Sequence, residues 1–283
     1  MEAIIVVAII GIIAGICGVF FTSAFNSYFS TVRRAEMVDM ADIAIQRLAR
    51  EVRLAVPNSL RVSNTANYTY LEFVPTKSGG RYRNNGDGSS SGQFLCSETS
   101  AGTTNPTFDV LGPSLLNYVP PIAALDYIVI DNDANLPSGT DVYGLGSRVQ
   151  IQTVGTNSIT TGTPFPNANI ICSYQNNRFQ VVDQTVKAVT YQCPTQNASA
   201  QPIMRYQGYG FNTSQPTATS SFSTGTSVTV AGSTKYAAYC TISYNQNVQQ
   251  RNGLLYVSVT ITDTGGSGET ITVFRQIHVD NVP

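Results

Sequence analysis

The first 21 residues constrain the fold more than any other part of the chain. They read MEAIIVVAIIGIIAGICGVFF, and Glu2 is the only charged side chain among them. A helix rises about 1.5 Å per residue, so this apolar run extends about 28 Å, enough to cross a hydrocarbon core of about 30 Å. The sequence therefore predicts that residues 1–21 span a membrane, with a carboxylate at one edge, where a charge is costly and usually functional.

The helix is predicted to continue to residue 56 as an amphipathic segment, residues 22–56. Its apolar residues recur at steps of three and four and so share one face: Met37, Ala41, Ile45, Leu48 and Val52. Pro57 should end the helix, because proline lacks a backbone donor and disfavours helical geometry in the residue before it. We expect the apolar stripe to pack against the remaining chain, residues 57–283.

Residues 57–283 have the pattern of a β-rich domain. Apolar or alternating segments predict strands at 68–74, 127–130, 148–152, 179–182 and 188–192. Alternation is clearest on the two sides of the turn Gly265–Gly268, which predicts a hairpin formed by 255–262 and 271–279. The length suits one large β domain or two small lobes. The predicted fold class is α+β, with a long N-terminal helix, 1–56, packed on an enlarged antiparallel β-sheet domain.

Three polar segments interrupt this pattern. Residues 77–92, 155–163 and 213–234 are rich in glycine, serine or threonine. Such composition is typical of loops, because it offers few side chains for a core. We therefore expect a glycine-rich loop at 77–92 and surface excursions at the other two.

The charge content disfavours nucleic acid as a partner. Only 12% of the residues are charged, the formal net charge is -1, and the longest basic run is Arg33-Arg34. A nucleic-acid-binding protein normally carries a basic face. Solubility depends instead on serine, threonine, asparagine and glutamine, as expected of an exported protein.

The cysteines indicate disulfides. Cys17 lies in the apolar run and is interpreted as a small packing residue. In an oxidising periplasm, the other four cysteines predict two disulfides. Three pairings are possible and spacing does not choose between them. We favour the pairing in which the later two cysteines, which lie in strand-like contexts, are joined: Cys96 with Cys172, and Cys193 with Cys240.

Candidate metal ligands are few. Asp131, Asp133 and Asn135 place oxygen atoms at alternate positions, as a calcium loop does. Leu136 and Val142, however, occupy the positions of the loop glycine and the bidentate glutamate. Asx-rich turns form similar strings without an ion. The calcium site is therefore the weaker reading, and we expect no metal and no cofactor.

Catalytic signatures are not expected. His278 is the single histidine and is predicted to lie on a strand, with no nucleophile signature beside it. The glycines at 265–268 are followed by neither a lysine nor a helix start, so a hairpin turn is favoured over an anion site. We therefore expect that the protein is not an enzyme.

The segment EAIIVVAIIGIIA, residues 2–14, resembles the signal and helix start of type IV pilins and pseudopilins. In that family a prepilin peptidase removes a basic leader that ends in glycine, and the mature chain starts Phe-Thr-Leu-x-Glu. Met1 and Glu2 match the last two of those residues. The resemblance implies that the leader and three mature residues are missing before Met1 or replaced by it, so N-terminal methylation cannot be read from this sequence.

A narrower resemblance extends over the chain. Residues 44–53, 55–62, 178–183, 204–206 and 278–283 are similar in patches to the MshO family of minor subunits in mannose-sensitive haemagglutinin (MSHA) pili. The resemblance implies a pilin fold and a structural role as a minor pilin in a fimbrium used for cell adhesion. It also implies low copy number, since the head is large for a major subunit.

The resemblance further implies a location and a set of partners. Before assembly the helix would wait in the bacterial inner membrane with the head in the periplasm, beside the assembly platform. In the extracellular pilus the apolar helices of major and minor subunits would bundle. Glu2 would then contact the free α-amino group of a neighbouring subunit.

Two alternative functions stay open. A type II secretion pseudopilin would carry the same helix. A pilus-tip adhesin would use polar loops to bind a glycan or a surface, with the helix only as an anchor. An aromatic-lined shallow pocket near Tyr206, Tyr209 and Phe211 would favour the adhesin.

Overall fold

The structure is a computed structural model that describes residues 2–84, 92–96, 104–132, 141–166, 171–172, 177–198, 201–245 and 252–280. A long helix, α1, spans Glu2–Arg53. The strands that follow are β1 (Arg61–Asn64), β2 (Tyr68–Phe73), β3 (Ser78–Tyr82), β4 (Thr107–Leu111), β5 (Tyr127–Val129), β6 (Arg148–Val154), β7 (Ser158–Thr161), β8 (Arg178–Val182), β9 (Val189–Pro194), β10 (Ile203–Gln207), β11 (Thr226–Ala231), β12 (Tyr236–Asn245), β13 (Asn252–Asp263) and β14 (Thr270–Asp280).

The described strands form two antiparallel sheets and a closed barrel. One sheet has the order β1-β2-β9-β10-β11, the second has the order β12-β13-β14, and the barrel has the order β3-β4-β7-β6-β5-β8. The disulfide Cys193–Cys240 joins β9 to β12 and so links the two sheets. Strands β13 and β14 form the predicted hairpin, with Leu255 opposite Ile277. The predicted α+β class, with a helix packed on antiparallel sheets, is confirmed.

The C-terminal part of α1 packs against both sheets. Its buried residues are Met37, Ala41, Ala44, Ile45, Leu48, Ala49 and Val52. They share one apolar core with strands β2 and β9 to β14. The predicted packing stripe is thus confirmed, and two alanines extend it.

The helix ends at Arg53, three residues before the predicted limit. The amides of Leu54 and Ala55 bond to carbonyls three residues back, which tightens the last turn. Val56 then donates its amide to the carbonyl of Val74 at 2.8 Å. Pairing with the chain that follows β2 therefore replaces the helix before Pro57 is reached.

The barrel is an insertion between two strands that pair directly. Phe73 of β2 lies opposite Val189 of β9, and all six barrel strands come from the intervening chain. The barrel has its own apolar core, with Phe108 and Phe179 buried. The disulfide Cys96–Cys172 contributes to that core.

The barrel is attached at the C-terminal end of α1. The side-chain amide of Asn58 donates to the carbonyl of Asn132 at 2.8 Å, and that of Asn132 donates to the carbonyl of Pro57 at 2.7 Å. The Tyr143 hydroxyl donates to the carbonyl of Ser59 at 2.6 Å. These contacts place the barrel at the end of the helix that is remote from the apolar run.

The prediction of a loop over 77–92 was wrong for its first part, because residues 78–82 form β3. Gly80 lies opposite Phe179 of β8. A Cβ atom at Gly80 would lie 2.7 Å from Cζ of that ring, so the close approach requires glycine. Glycine here marks tight packing inside a barrel, not a flexible turn.

The surface excursions predicted at 155–163 and 213–234 also contain strands, β7 and β11. Among the described strands, β11 pairs with β10 alone and stays largely exposed, so its polar side chains suit an edge strand. Phe222, in the short helix before it, is buried and stacks on Tyr206 with ring centroids 4.5 Å apart. The threonine-rich composition of these segments predicted loops. Threonine is β-branched, however, and therefore also favours strands.

Candidate functional site

The N-terminal part of α1, residues 2–32, exposes apolar side chains on all its sides. None of these residues is buried, and only Ser30 is partly covered. Among the described residues, α1 is the one helix that is long and apolar enough to cross a membrane, and its most apolar window is 0% buried. A core helix would be covered by the rest of the chain. This segment can therefore anchor in a membrane.

Glu2 occupies the first turn of α1 and is exposed. A carboxylate at this end of a helix interacts favourably with the helix dipole. The described part of the chain gives Glu2 no ion pair, and the predicted contact with a neighbouring subunit stays a prediction. Cys17 lies on the same exposed segment as a free thiol.

A cluster of charges marks the point where the helix meets the head. Arg33 Nη1 lies 3.7 Å from a carboxylate oxygen of Asp263, and Arg34 pairs with Glu269. Asp263 is the last residue of β13, and Glu269 directly precedes β14. We call this set of contacts, together with those of Glu36, the boundary clamp.

Glu36 of α1 completes the boundary clamp through Lys235, which precedes β12, and Tyr236, which begins it. Its carboxylate accepts a hydrogen bond from the Tyr236 hydroxyl at 2.6 Å and lies 3.1 Å from Lys235 Nζ. The Tyr236 hydrogen bond, with the Lys235 ammonium, lowers the pKa of Glu36. Hydrogen bonds from the Ser267 hydroxyl and the Gly265 amide lower the pKa of Asp263, and Arg33 adds to the effect. Both carboxylates are therefore held in the charged form.

Near its C-terminal end, α1 is held to the head by an ion pair between Glu51 and Arg205. Arg205 of β10 is buried, and its Nε lies 2.7 Å from Glu51 Oε2. Arg47 Nε lies 3.2 Å from the other oxygen of Glu51. The stretch from Arg33 to Glu51 is thus fixed to the head at both ends, with the apolar core between.

The opposite face of this stretch is open. A groove of about 460 Å³ runs along it, lined by Ile43, Gln46, Arg47, Arg50, Glu51 and Leu54. Ile43 and Leu54 are 64% and 60% exposed. These two side chains form a small apolar patch within a mainly charged groove.

A buried charged network links the sheet to the barrel. Arg61 Nε lies 2.6 Å from Glu72 Oε2, and the Tyr209 hydroxyl donates to Glu72 Oε1 at 2.7 Å. The Arg61 guanidinium also lies 3.5 Å from the ring centroid of Tyr143. Burial raises the pKa of Glu72, while Arg61 opposes the shift. The network is interpreted as structural, because its polar atoms bond to one another inside the protein.

The aromatic residues proposed for a ligand pocket are largely inside the head. Tyr206 and Tyr209 are each only 8% exposed. The Tyr206 hydroxyl donates to Gln192 at 2.9 Å, and the Tyr209 hydroxyl donates to Glu72. Phe211 is partly buried and packs against Tyr127 and Arg148. The structure does not bring these rings together as an open pocket.

The remaining candidate residues are the four disulfide cysteines, the calcium candidates and His278. The two disulfides have the favoured pairing, Cys96–Cys172 and Cys193–Cys240. Asp131 follows β5 with a positive φ of 51°, whereas Asp133 and Asn135 lie outside the described residues. His278 is exposed on β14 opposite Leu254. Within the described ranges, no group of three or more His, Cys, Asp or Glu could hold a metal ion.

Sequence reasoning missed the boundary clamp and the ion pair between Glu51 and Arg205. Arg34 and Glu269 are separated by 235 positions, and Glu51 and Arg205 by 154. The sole available signal was that arginines and acids flank the apolar stripe of α1. Their partners depend on the sheet topology, which the sequence pattern does not encode.

Comparison with known proteins supplies no family. No protein-family model, no curated protein and no solved structure matches the chain. The functional argument therefore depends on the geometry of α1 and on the resemblance carried by residues 2–14.

Proposed function

We propose that the protein is a structural minor pilin of a type IV pilus of the MSHA kind. The observation that carries this proposal is the division of one continuous helix into two parts. Residues 2–32 expose apolar side chains on every side, whereas residues 33–53 are fixed to a β-rich head.

The exposed apolar segment has to be covered, because water disfavours an apolar surface of this length. Before assembly, lipid of the inner membrane covers it, and the head stands in the periplasm. Disulfides in both parts of the head are typical of an oxidising compartment. In the extracellular filament, the apolar helices of neighbouring subunits replace the lipid.

The barrel supports a low copy number. It enlarges the head at the end of α1 remote from the membrane segment, where it makes contacts with residues 57–59. A head of this size suits a terminal position better than close repetition along a filament. Its partners are then other pilin subunits and the inner-membrane assembly platform.

Glu2 is proposed to guide assembly. A carboxylate in the apolar part of a bundle needs a partner, since a buried unpaired charge is strongly unfavourable. The α-amino group of a neighbouring subunit provides one. The charge pair forms only as the helix leaves lipid, so Glu2 should affect assembly more than folding.

The test is to measure incorporation of the full chain into sheared surface filaments by immunoblotting. Glu2→Ala should leave the protein exported and folded yet poorly incorporated, and Glu2→Asp should be intermediate. Cys17→Ala, an uncharged change in the same segment, should incorporate normally. Normal incorporation of Glu2→Ala would show that the charge does not direct docking.

The same experiment distinguishes the type II secretion alternative. Recovery of the wild-type chain in extracellular filaments supports the pilus. Retention in the cell envelope, with loss of protein secretion when the chain is absent, supports a secretion pseudopilin and overturns the proposed function.

A further inference from the structure

Taken as a whole, the exposed segment 2–32 has apolar side chains on every side of α1, but its last turns do not. Over residues 21–32 the large apolar side chains recur at the spacing of a single helix face. We call this set the aromatic stripe, and its members are Phe21, Phe25, Tyr28, Phe29 and Val32. Polar side chains occupy the other side of the same turns: Ser23, Asn26, Ser27, Ser30 and Thr31.

The head shows which way the two sides point. α1 is one uninterrupted helix, and eighteen residues make about five full turns, so residues eighteen apart lie on the same face. Eighteen residues beyond the five polar side chains lie five that are buried against the head: Ala41, Ala44, Ile45, Leu48 and Ala49. Eighteen residues beyond the aromatic stripe lie five that are not buried: Asp39, Ile43, Gln46, Arg47 and Arg50. The aromatic stripe therefore faces away from the head.

The rings of the aromatic stripe form a continuous exposed surface. Those of Phe21 and Phe25 stack with their centroids 6.5 Å apart, and those of Tyr28 and Phe29 meet edge to face at 5.8 Å. All four rings are 57–64% exposed. An apolar surface of this kind is unfavourable in water, so another molecule has to cover it.

An upright membrane helix would leave part of the aromatic stripe in water. Residues 3–21 extend about 28 Å, which already matches a hydrocarbon core of about 30 Å. The headgroup layer adds only about 6 Å on each side. Residues 22–32 extend about 16 Å further. An upright α1 would thus hold Tyr28, Phe29 and Val32 above the lipid.

A tilt toward the aromatic stripe removes this exposure. The segment 2–32 is about 46 Å long, and a tilt of about 40° fits it into about 36 Å, the thickness of the core and one headgroup layer. Membrane helices tilt by up to about 40°, and aromatic residues at the interface are among the features that set the tilt. Because the stripe and the head lie on opposite sides of α1, the tilt that lowers the rings lifts the head.

We propose that, before assembly, the aromatic stripe lies in the lipid–water interface of the membrane, so that α1 tilts toward it and carries the head on the side away from the lipid. Lipid is the occupant because the stripe continues the membrane-spanning run, with no charge before Arg33. A face of large apolar rings opposite a polar face is typical of helices at a membrane surface. The inference deepens the membrane state of the proposed function and rests on it.

The experiment uses tryptophan as a depth probe, because the chain contains none of its own. Full-length Ser23→Trp and Phe25→Trp are reconstituted separately, at a low protein-to-lipid ratio, in vesicles of phosphatidylglycerol and brominated phosphatidylcholine. The bromine lies either near the headgroup or near the end of the acyl chains, and the ratio of the two quenching efficiencies reports the depth of the ring.

The two geometries predict opposite orders of depth. In an upright helix, position 23 lies about 3 Å deeper than position 25, because it comes first along the axis. In a helix tilted toward the aromatic stripe, position 25 is the deeper one, since it lies on the lower side. Ser27→Trp and Phe29→Trp form a second pair, for which the same reversal is expected, with position 29 the deeper.

Removing other rings of the stripe tests whether they cause the tilt. Phe21→Ala with Tyr28→Ala should restore the upright order at positions 23 and 25. Ile5→Ala with Ile12→Ala is the matched control, because it removes two apolar side chains at the same spacing from the membrane-spanning run. It should leave the reversed order unchanged.

The outcomes separate the inference from the proposed function. If position 23 is deeper than position 25, or if the reversed order survives the loss of both rings, the inference is wrong and the filament function stands. A reversed order that appears only at a high protein-to-lipid ratio would assign the stripe to a second copy and overturn lipid as the occupant. Vesicles that retain no chain would remove the membrane state, and the proposed function would fail with it.

Discussion

In residues 2–32 of α1, apolar side chains lie on every side of the helix, whereas in residues 33–53 they lie mainly on one. The first part has no buried residue. The second part buries a stripe against two sheets and bonds its ends to Asp263 and Arg205. This difference shows that a high content of apolar residues is not sufficient for a helix to be buried in a core. Their distribution around the axis decides whether the protein itself or another molecule covers them.

The largest effect is expected on membrane association, when most of the exposed apolar part of α1 is removed. A chain that begins at residue 26 should move from the membrane fraction to the soluble fraction. Its thermal midpoint should match that of the full chain in detergent, because residues 2–25 are all exposed and none of them is buried against the head. Fractionation and circular dichroism measure the two properties. A truncated chain that stays on membranes without other filament subunits would reveal a second membrane contact.

Two isoleucines in the second part test the comparison within one turn of helix. Ile45 is 1% exposed and Ile43 is 64% exposed. Ile45→Ala should lower the free energy of unfolding by about 2–5 kcal/mol, through lost burial and a cavity. Ile43→Ala should change it by less than about 0.5 kcal/mol. Urea titration of both variants provides the measurement, and equal losses would contradict the assigned faces.

The disulfide between the sheets should support the packed part of α1. Cys193 and Cys240 are both buried in the core that contains Ile45. Replacing both by alanine should cost about 2–4 kcal/mol. Hydrogen exchange should then increase in residues 37–52 of α1. Replacing Cys96 and Cys172 should destabilise the barrel and leave exchange in this stretch of helix nearly unchanged, which makes that pair the matched control.

The sequence predicted the features that depend on local periodicity. The stripe from Met37 to Val52 follows the helical period, and the hairpin β13–β14 follows the period of a strand, so both could be predicted. The apolar run was also evident, since no charge interrupts it. These signals need only neighbouring residues.

The barrel could not be predicted in this way. It closes because β3 pairs with β8, with Ser78 opposite Val181, a contact between residues far apart in the chain. Its strand β3 contains Gly79 and Gly80, which local composition assigns to a loop, yet the close approach of Phe179 requires them. The sequence did not predict the partners of Arg33 and Arg34 for the same reason. These partners, Asp263 and Glu269, lie on a hairpin far along the chain. Position in the sheet, more than residue type, determines these contacts.

The smallest predicted effect concerns the boundary between the two parts of α1. Asp263 accepts hydrogen bonds from the Gly265 amide at 2.9 Å and from the Ser267 hydroxyl, and it faces Arg33. These contacts lower its pKa in the folded chain. Its stabilising contribution is therefore present above the pKa of the unfolded state and is lost as the pH falls through the lower folded value.

Asp263→Asn should consequently lower the thermal midpoint slightly at pH 7. The difference from wild type should shrink as the pH falls below the pKa of an aspartate in the unfolded chain, about 3.9, toward the lower pKa of Asp263 in the folded chain. Asp39→Asn is the matched control, because Asp39 is an exposed acid for which the described chain offers no ion pair. It should give the wild-type curve throughout. Thermal melts between about pH 2 and pH 7 test this. A constant difference between Asp263→Asn and wild type over that range would mean that the carboxylate charge does not hold the helix at this boundary, and that the apolar core alone separates the covered part of α1 from the exposed part.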